Sequence, residues 1–336
     1  MSKVLVTGAT GFVGSALVRA LLKKGDEVHV LVRQRHPPYP NIEGLSVTAH
    51  HGDVQYPESL KEAMRGIDIV YHAAAVYQFF PWWKKKVPAI DKINIEGTRN
   101  VLEAARRVGV RRLVYTSSII TIGKAKGNAL SNEETPYQAG QFKSHYARTK
   151  YEAERLVLEA AREGVPAVVV NPGVVMGERD SKPTPSGEVI LKFLKRIYPG
   201  YFDAVWCTAD VDDVAQGHIA AAEKGRAGER YILCNKEHHT LKEIFKILEK
   251  ISGVKSPFIK IPYPALLAFV FIDEWSGQFI RHRPLLSSEG LNFCRTFLRC
   301  DNSKAVRELR LPRETPIEET LEKALRWYRD HGYVKR

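Results

Sequence analysis

Residues 7–15 read "TGATGFVGS", directly after the apolar run "KVLVT" (3–7) and at the head of a helix-like stretch, "FVGSALVRALLKKG" (12–25). Gly8, Gly11 and Gly14 therefore occupy a strand–turn–helix junction. Glycine there allows a sharp turn, close approach of the backbone to a pyrophosphate, and tight packing of helix on strand. The N–H groups that open the helix face phosphate oxygens, which makes Gly8, Thr10, Gly11, Phe12 and Val13 candidate cofactor-binding residues. The spacing, G-x-x-G-x-x-G, is one residue longer than the usual dinucleotide fingerprint.

Outward from this loop, short β-branched runs alternate with helical segments. The runs are 3–7, 27–32, 45–50, 68–73, 112–117 and 166–171, and most are nearly continuous apolar stretches, as in parallel strands covered on both faces. Between them lie "PESLKEAMRG", "GTRNVLEAARRVG" and "YEAERLVLEAAREG"; Gly25, Gly109 and Gly164 close three of the helical segments. This rhythm predicts an α/β fold with a doubly wound parallel sheet (Rossmann). After Pro172 the text becomes loop-rich and then mostly helical, although "DVDDVAQGHIAAAEKG" and "RYILC" return to the sheet. The expected division is residues 1–175 with 205–235 as the nucleotide-binding domain. Residues 176–204 with 236–336 then form a smaller, mostly helical C-terminal substrate domain.

The chain has 336 residues, 44% hydrophobic and 26% charged, with a formal net charge of +13. The basic residues are spread along it without a nucleic-acid-binding motif, which favours a basic surface that attracts phosphorylated ligands over nucleic acid. Cys207, Cys234, Cys294 and Cys300 form no C-x-x-C pair, so buried free thiols are expected and no metal. No signal peptide is apparent, and the run "ALLAFVFI" (265–272) is too short to span a bilayer. Cytoplasmic localisation is expected, with that run lining a pocket or touching a lipid surface peripherally.

In "SHYARTKY" (144–151), Tyr146 and Lys150 stand four apart and share one face of a helix. With 14 tyrosines in the chain, about one Tyr-x-x-x-Lys pair arises by chance. Together with the glycine loop, however, the pair resembles the extended short-chain dehydrogenase/reductase family. Further landmarks follow in that family's order. "GDV" (52–54) is similar to its adenine-contacting segment, with Asp53 and Val54. "HAAA" (72–75) is similar to the stretch along the cofactor's phosphates and ribose, with Ala73, Ala74 and Ala75. Asn94 in "NIEGT" resembles the family's helix asparagine, and "NPGVVMG" (171–177) the loop that meets the nicotinamide through Pro172 and Val175. The resemblance covers about residues 1–235. More narrowly, "TGATGFVGSALVRALL", "NIEGTRNVLEAA", "SKPTPSG" and "DVDDVAQGH" resemble the bacterial group called dihydroflavonol 4-reductase-like or hopanoid-associated sugar epimerase.

The resemblance implies hydride transfer between a nicotinamide and a substrate carbon, with Tyr146 exchanging a proton with the substrate oxygen. Positive charge nearby, from Lys150 and the oxidised nicotinamide, is expected to lower the pKa of Tyr146. Aligned on Gly123, Ser118 takes the position of the family's substrate-polarising serine, and Ser117 is left to a strand-end hydrogen bond. Ser118, Tyr146, Lys150 and Asn94 are thus the expected catalytic set. The second strand ends "VLVRQR", with Val32 where an NAD enzyme carries a ribose-binding acid, then Arg33 and Arg35. The missing carboxylate and two available cations favour NADP over NAD.

For the small-molecule substrate, "VYQFFPWWKKKVP" offers Tyr77, Phe79, Phe80, Trp82 and Trp83, which suit a flat or greasy compound or, equally, packing between domains. Trp206 falls where nucleotide-sugar members of the family carry a diphosphate-gripping Arg, whereas Asn171 before Pro172 resembles the sugar epimerases. Tyr77, Trp82, Asn171 and Trp206 are the candidate substrate residues. The main expectation is an NADPH-dependent carbonyl reductase; a sugar epimerase or dehydratase and a non-catalytic NADP-binding redox sensor are the alternatives. The resemblance also implies a homodimer, formed through "INIEGTRNVLEAARRVG" and the helix carrying Tyr146.

Overall fold

Six runs become parallel strands; five are apolar and mostly buried, whereas Thr48–His51 is a largely exposed edge strand. They are β1 (Lys3–Thr7), β2 (Glu27–Val32), β3 (Thr48–His51), β4 (Ile69–His72), β5 (Arg112–Thr116) and β6 (Ala167–Pro172). Short strands β7 (Val174–Met176), β8 (Val205–Trp206) and β9 (Thr208–Asp210) follow, and β10 (Arg230–Leu233) returns to the main sheet before β11 (His239–Thr240). The seven-stranded parallel sheet runs β10-β6-β5-β4-β1-β2-β3. Strand order reverses at β1, which pairs with β2 on one side and β4 on the other. The carboxyl ends of strands at such a switch point open the crevice where α/β sheets bind ligands. This is a Rossmann-like fold. The structure is a computed structural model and describes every residue except 34–37, 40, 78–87, 139, 143, 281–283, 297 and 335–336. Arg35, Phe79, Phe80, Trp82 and Trp83 lie outside the described residues.

Helix α1 (Phe12–Lys24) covers one face of the sheet and α2 (Pro57–Ala63) the other. A short α3 (Pro88–Asp91) runs through a π turn at Lys92–Glu96 into α4 (Gly97–Val108). Then come α5 (His145–Arg162), α6 (Pro185–Leu194), α7 (Val211–Lys224) and α8 (Leu241–Ser252). The chain ends with α9 (Tyr263–Ile280), α10 (Ser288–Arg295), α11 (Ser303–Leu309) and α12 (Ile317–Asp330). Val4 and Val6 pack with α1 and α7, and Leu5 packs with α2, α4 and α5. All three are fully buried, each contributing about 1.5–3 kcal/mol. A separate core joins α6, β8, α8 and α12. Gly25 and Gly109 end their helices at φ 88° and 74°, where any side chain would be strained.

Two boundaries differ from the sequence reading. Strand β3 is displaced to Thr48–His51. Helix α5 begins at His145, well before Tyr151, because Ser144 caps it: its hydroxyl accepts from Ala147 N at 3.3 Å. The cysteines are free, and three are buried as expected, but they are not isolated. Cys207, Cys234 and His238 bring their ligand atoms within 4.8 Å of one another. His238 Nε2 also lies 3.1 Å from the Cys300 carbonyl oxygen and 3.3 Å from Cys300 N. Among the described residues no helix is long and apolar enough to cross a membrane.

Candidate active site

The glycine loop meets the segment after β4 with no room for a side chain. A Cβ on Gly8, at φ 74°, would stand 2.6 Å from Ala74 N, and one on Gly14 would stand 2.1 Å from Gly8 O. Beside these glycines lies a cleft of about 200 Å³, lined by Thr10, Gly11, Val32, Arg33, Asp53, Val54 and Ala73–Ala75. Phe12 and Val13 form the first turn of α1, half-buried. The glycine contacts, the open helix start and the switch-point position fit a dinucleotide. Arg33 lines the cleft at the end of β2, exposed, and Asp53 Oδ1 accepts from Gln55 N at 2.9 Å.

The floor of the cleft is held by a histidine that sequence reasoning did not single out. His72 is fully buried at the end of β4. Thr98 Oγ1 donates to Asn94 O at 2.7 Å, so it accepts from His72 Nε2–H at 3.0 Å. Nδ1 then accepts from Thr7 Oγ1 at 2.7 Å, and Thr7 Oγ1 itself accepts from Ala74 N at 3.4 Å. Burial lowers the His72 pKa to about 3, and the nearby Lys150 adds to the shift. A neutral imidazole thus ties β1, β4 and α4 together beneath Ala73 and Ala74.

Tyr146 and Lys150 share the inward face of α5, both nearly fully buried. The side chain of Ser118 is hydrogen-bonded to Tyr146. Burial pushes the phenol above its ordinary range, and the Ser118 contact draws it part of the way back. The expected lowering drew on Lys150 and the oxidised nicotinamide together; in the chain alone, desolvation of a phenolate is the larger effect. Lys150 Nζ donates to Thr116 O at 2.5 Å and lies over the Tyr115 ring. Burial brings its pKa down to about 7, while Glu154 one turn further along opposes the shift. His218, on α7, accepts from Thr116 Oγ1 through Nε2 at 2.8 Å and donates through Nδ1 to Val214 O at 2.7 Å. Tyr146 is therefore a protonated acid, and Lys150 stands between two neutral imidazoles.

The remaining candidates separate by contact. Ser117 makes a strand-end hydrogen bond through its N–H, to Val170 O at 2.8 Å, while its buried Oγ has no partner among the described residues. Asn94 spends its amide on Val76 N (2.7 Å), Val76 O (3.2 Å) and Thr149 Oγ1 (3.0 Å), so its side chain braces the cleft wall against α5. Asn171 is fully buried, its Nδ2 bonded to Ser118 O, Thr121 Oγ1 and Glu154 Oε2. It braces Ser118 from behind. Pro172 ends β6 beside Leu233, and Val175 pairs with Ala209. The N-terminus of α5 is capped from a distance by Glu289 of α10, which accepts from His145 N at 3.0 Å and Ser144 Oγ at 3.3 Å. No spacing rule in the sequence links Glu289, Glu154, His72 or His218 to Tyr146.

Tyr77 packs on Tyr146, with ring centroids 4.8 Å apart. It also lies within electrostatic reach of Cys294. Cys294 lines an apolar cavity of about 240 Å³ together with Tyr198, Phe202, Trp206, Phe245 and Leu266. Trp206 thus belongs to the cavity wall, and α10 links cavity and site: its Cys294 lines the cavity and its Glu289 caps the helix that carries Tyr146.

Comparison with known proteins agrees with this geometry. The sequence model of the NAD dependent epimerase/dehydratase family matches residues 4–234. A Synechocystis protein named "Putative dihydroflavonol 4-reductase" is 38% identical, over 98% of this chain and 95% of its own. Sterol demethylase protein B of Methylococcus capsulatus is 33% identical, over 98% of this chain and 99% of its own. The crystal structure of gox2253 superposes with a TM-score of 0.86 at 35% identity, covering all of both chains.

Proposed function

We propose, from the premise that the chain belongs to the NAD dependent epimerase/dehydratase family, that it is an NADP(H)-dependent reductase of a large apolar or aromatic ketone. The observation that carries this reading is a buried Tyr146 hydrogen-bonded to Ser118, on a helix capped by α10, which also lines an apolar cavity. The nicotinamide supplies the hydride. Tyr146 donates its proton to the carbonyl oxygen as charge develops there, and Ser118 Oγ is the second donor to that oxygen. Lys150 is the residue to hold the nicotinamide ribose. Gly8, Thr10, Gly11 and the opening turn of α1 would cradle the pyrophosphate. Arg33 beside the cleft, with Val32 in place of an acid, supports NADP over NAD.

The reductase name of the Synechocystis relative supports the same direction. A sugar-nucleotide epimerase is less well supported. Asn171 spends its amide nitrogen inside the protein, and Trp206 belongs to an apolar wall that holds no cation among the described lining residues. The proposal includes the homodimer through α4 and α5, which light scattering of the purified chain would test. The reaction is tested by supplying NADPH with a panel of alkyl-aryl ketones. Stoichiometric NADPH oxidation with alcohol formation is expected. An isomerised sugar nucleotide with unchanged cofactor would replace the reading by an epimerase. Tight NADPH binding without turnover of any carbonyl would replace it by a sensor.

A further inference from the structure

Helix α9, "YPALLAFVFIDEWSGQFI", is turned inside out relative to an ordinary surface helix. Its only two charged residues are Asp273 and Glu274, and both are directed into the protein. Glu274 is fully buried and accepts from Ser288 N at 2.6 Å; Asp273, half-buried, accepts from Leu285 N at 2.6 Å. The outward stripe is instead Ile272 (65% exposed), Trp275 (58%) and Phe279 (70%), at the i, i+3, i+7 spacing of one helix face. Water-facing helices carry their charges on that side. Here buried carboxylates are combined with exposed aromatics, so the face awaits an apolar covering.

We infer that this face of α9 docks on an anionic lipid surface. Charge decides the occupant. The segment leading into the helix exposes Phe258 between Lys255 and Lys260, also exposed; in sequence, Arg281 and Arg283 follow the helix directly, and the chain as a whole carries +13. The stripe itself carries no carboxylate, Lys255 is exposed ahead of the helix and Lys260 pairs with Asp203 at 2.8 Å; on a chain of net charge +13 such an apolar face complements acidic headgroups above acyl chains. The helix is not long and apolar enough to span, so it lies in the interface plane.

The docking face is also continuous with the apolar cavity. Leu266 and Phe269 of α9 line that cavity, and Phe269 is 46% exposed at the surface. A substrate dissolved in lipid can then enter the cavity beside Phe269 without crossing water. Delivery of substrate rests on the reductase reading above; docking itself does not.

The test is sedimentation of the full chain with vesicles of phosphatidylcholine alone, or with an equal part of phosphatidylglycerol. Salt is varied, and wild type is compared with an Ile272→Glu/Trp275→Glu variant. Expected is binding to the anionic vesicles, weakened by salt and reduced at least about tenfold in the variant. The variant's thermal midpoint and its turnover of a water-soluble ketone should stay at wild-type values. No sedimentation with either vesicle, or binding unchanged in the variant, overturns the inference. So does a wild-type dimer that the variant dissociates, which would assign the face to a second copy. If the double variant misfolds, Ile272→Glu alone supplies the comparison. Vesicle binding without any carbonyl turnover would defeat the reductase reading and leave the docking intact.

Discussion

Asn171 Nδ2 lies 2.7 Å from Glu154 Oε2, tying the end of β6 to the helix that carries Tyr146. The same carboxylate accepts from Thr121 Oγ1 at 2.8 Å and pairs with Arg230 at 3.0 Å. Asn171 also reaches the Ser118 carbonyl at 3.2 Å. The position of Ser118 against Tyr146 therefore depends on a buried network that includes Asn171, Thr121 and Glu154.

Asn171→Asp would set two carboxylates against each other in the same space. Both cannot ionise there, so the pair's folded-state pKa rises above the unfolded value of about 4. A raised carboxyl pKa costs nothing below the unfolded value and destabilises progressively as pH rises above it. Urea denaturation should show a loss of about 3–5 kcal/mol near neutral pH and a smaller loss near pH 5. An equal loss at both values would refute the coupling.

Tyr146→Phe keeps the ring but removes the proton donor. Ketone reduction should fall at least about a hundredfold in kcat. NADPH affinity, measured by fluorescence titration, should stay within about threefold of wild type. Retained turnover would move the acid elsewhere.

Ser118→Ala should cost about 10²–10³ in kcat, the effect of losing one oxyanion donor. Ser117→Ala should leave kcat and the thermal midpoint essentially unchanged, because the Ser117 hydroxyl has no partner among the described residues. The reverse ranking would exchange the two assignments.

Lys150 is a base whose folded-state pKa is lowered to about 7 by burial. The unfolded chain holds more protons than the native state between about pH 7 and 10.5, so this residue makes stability rise with pH over that window. Lys150→Met should abolish turnover yet stabilise the cofactor-free protein by about 1–3 kcal/mol near pH 7. That difference should shrink towards zero near pH 10. A difference independent of pH would mean that Lys150 is not desolvated as described.

Arg33→Ala should lower the ratio of kcat/KM for NADPH over NADH by about tenfold or more, acting through the KM for NADPH. An unchanged ratio would remove Arg33 from cofactor selection.

The glycine loop, the starts and ends of β1 and β2, and the Tyr146–Lys150 pair were legible in the chain. Each depends on neighbours within a few positions: a positive φ at Gly8, a parallel strand's apolar run, an i, i+4 helix face. The sequence also indicated, by family alignment, that Ser118 rather than Ser117 faces the acid. Only tertiary structure decided that His72 is a neutral strut, that Asn171 faces Glu154, and that Glu289 caps α5. These contacts depend on strand register and on which side chains burial brings together, and local patterns leave that open. The rise of the Tyr146 pKa in the chain alone was hidden for the same reason: a nearby lysine is visible in the sequence, but the desolvation of the phenol is not. Likewise the apolar run at 265–272 was visible as a greasy stretch. That its helix hides two acids and exposes Ile272, Trp275 and Phe279 follows from which side of α9 the rest of the fold covers.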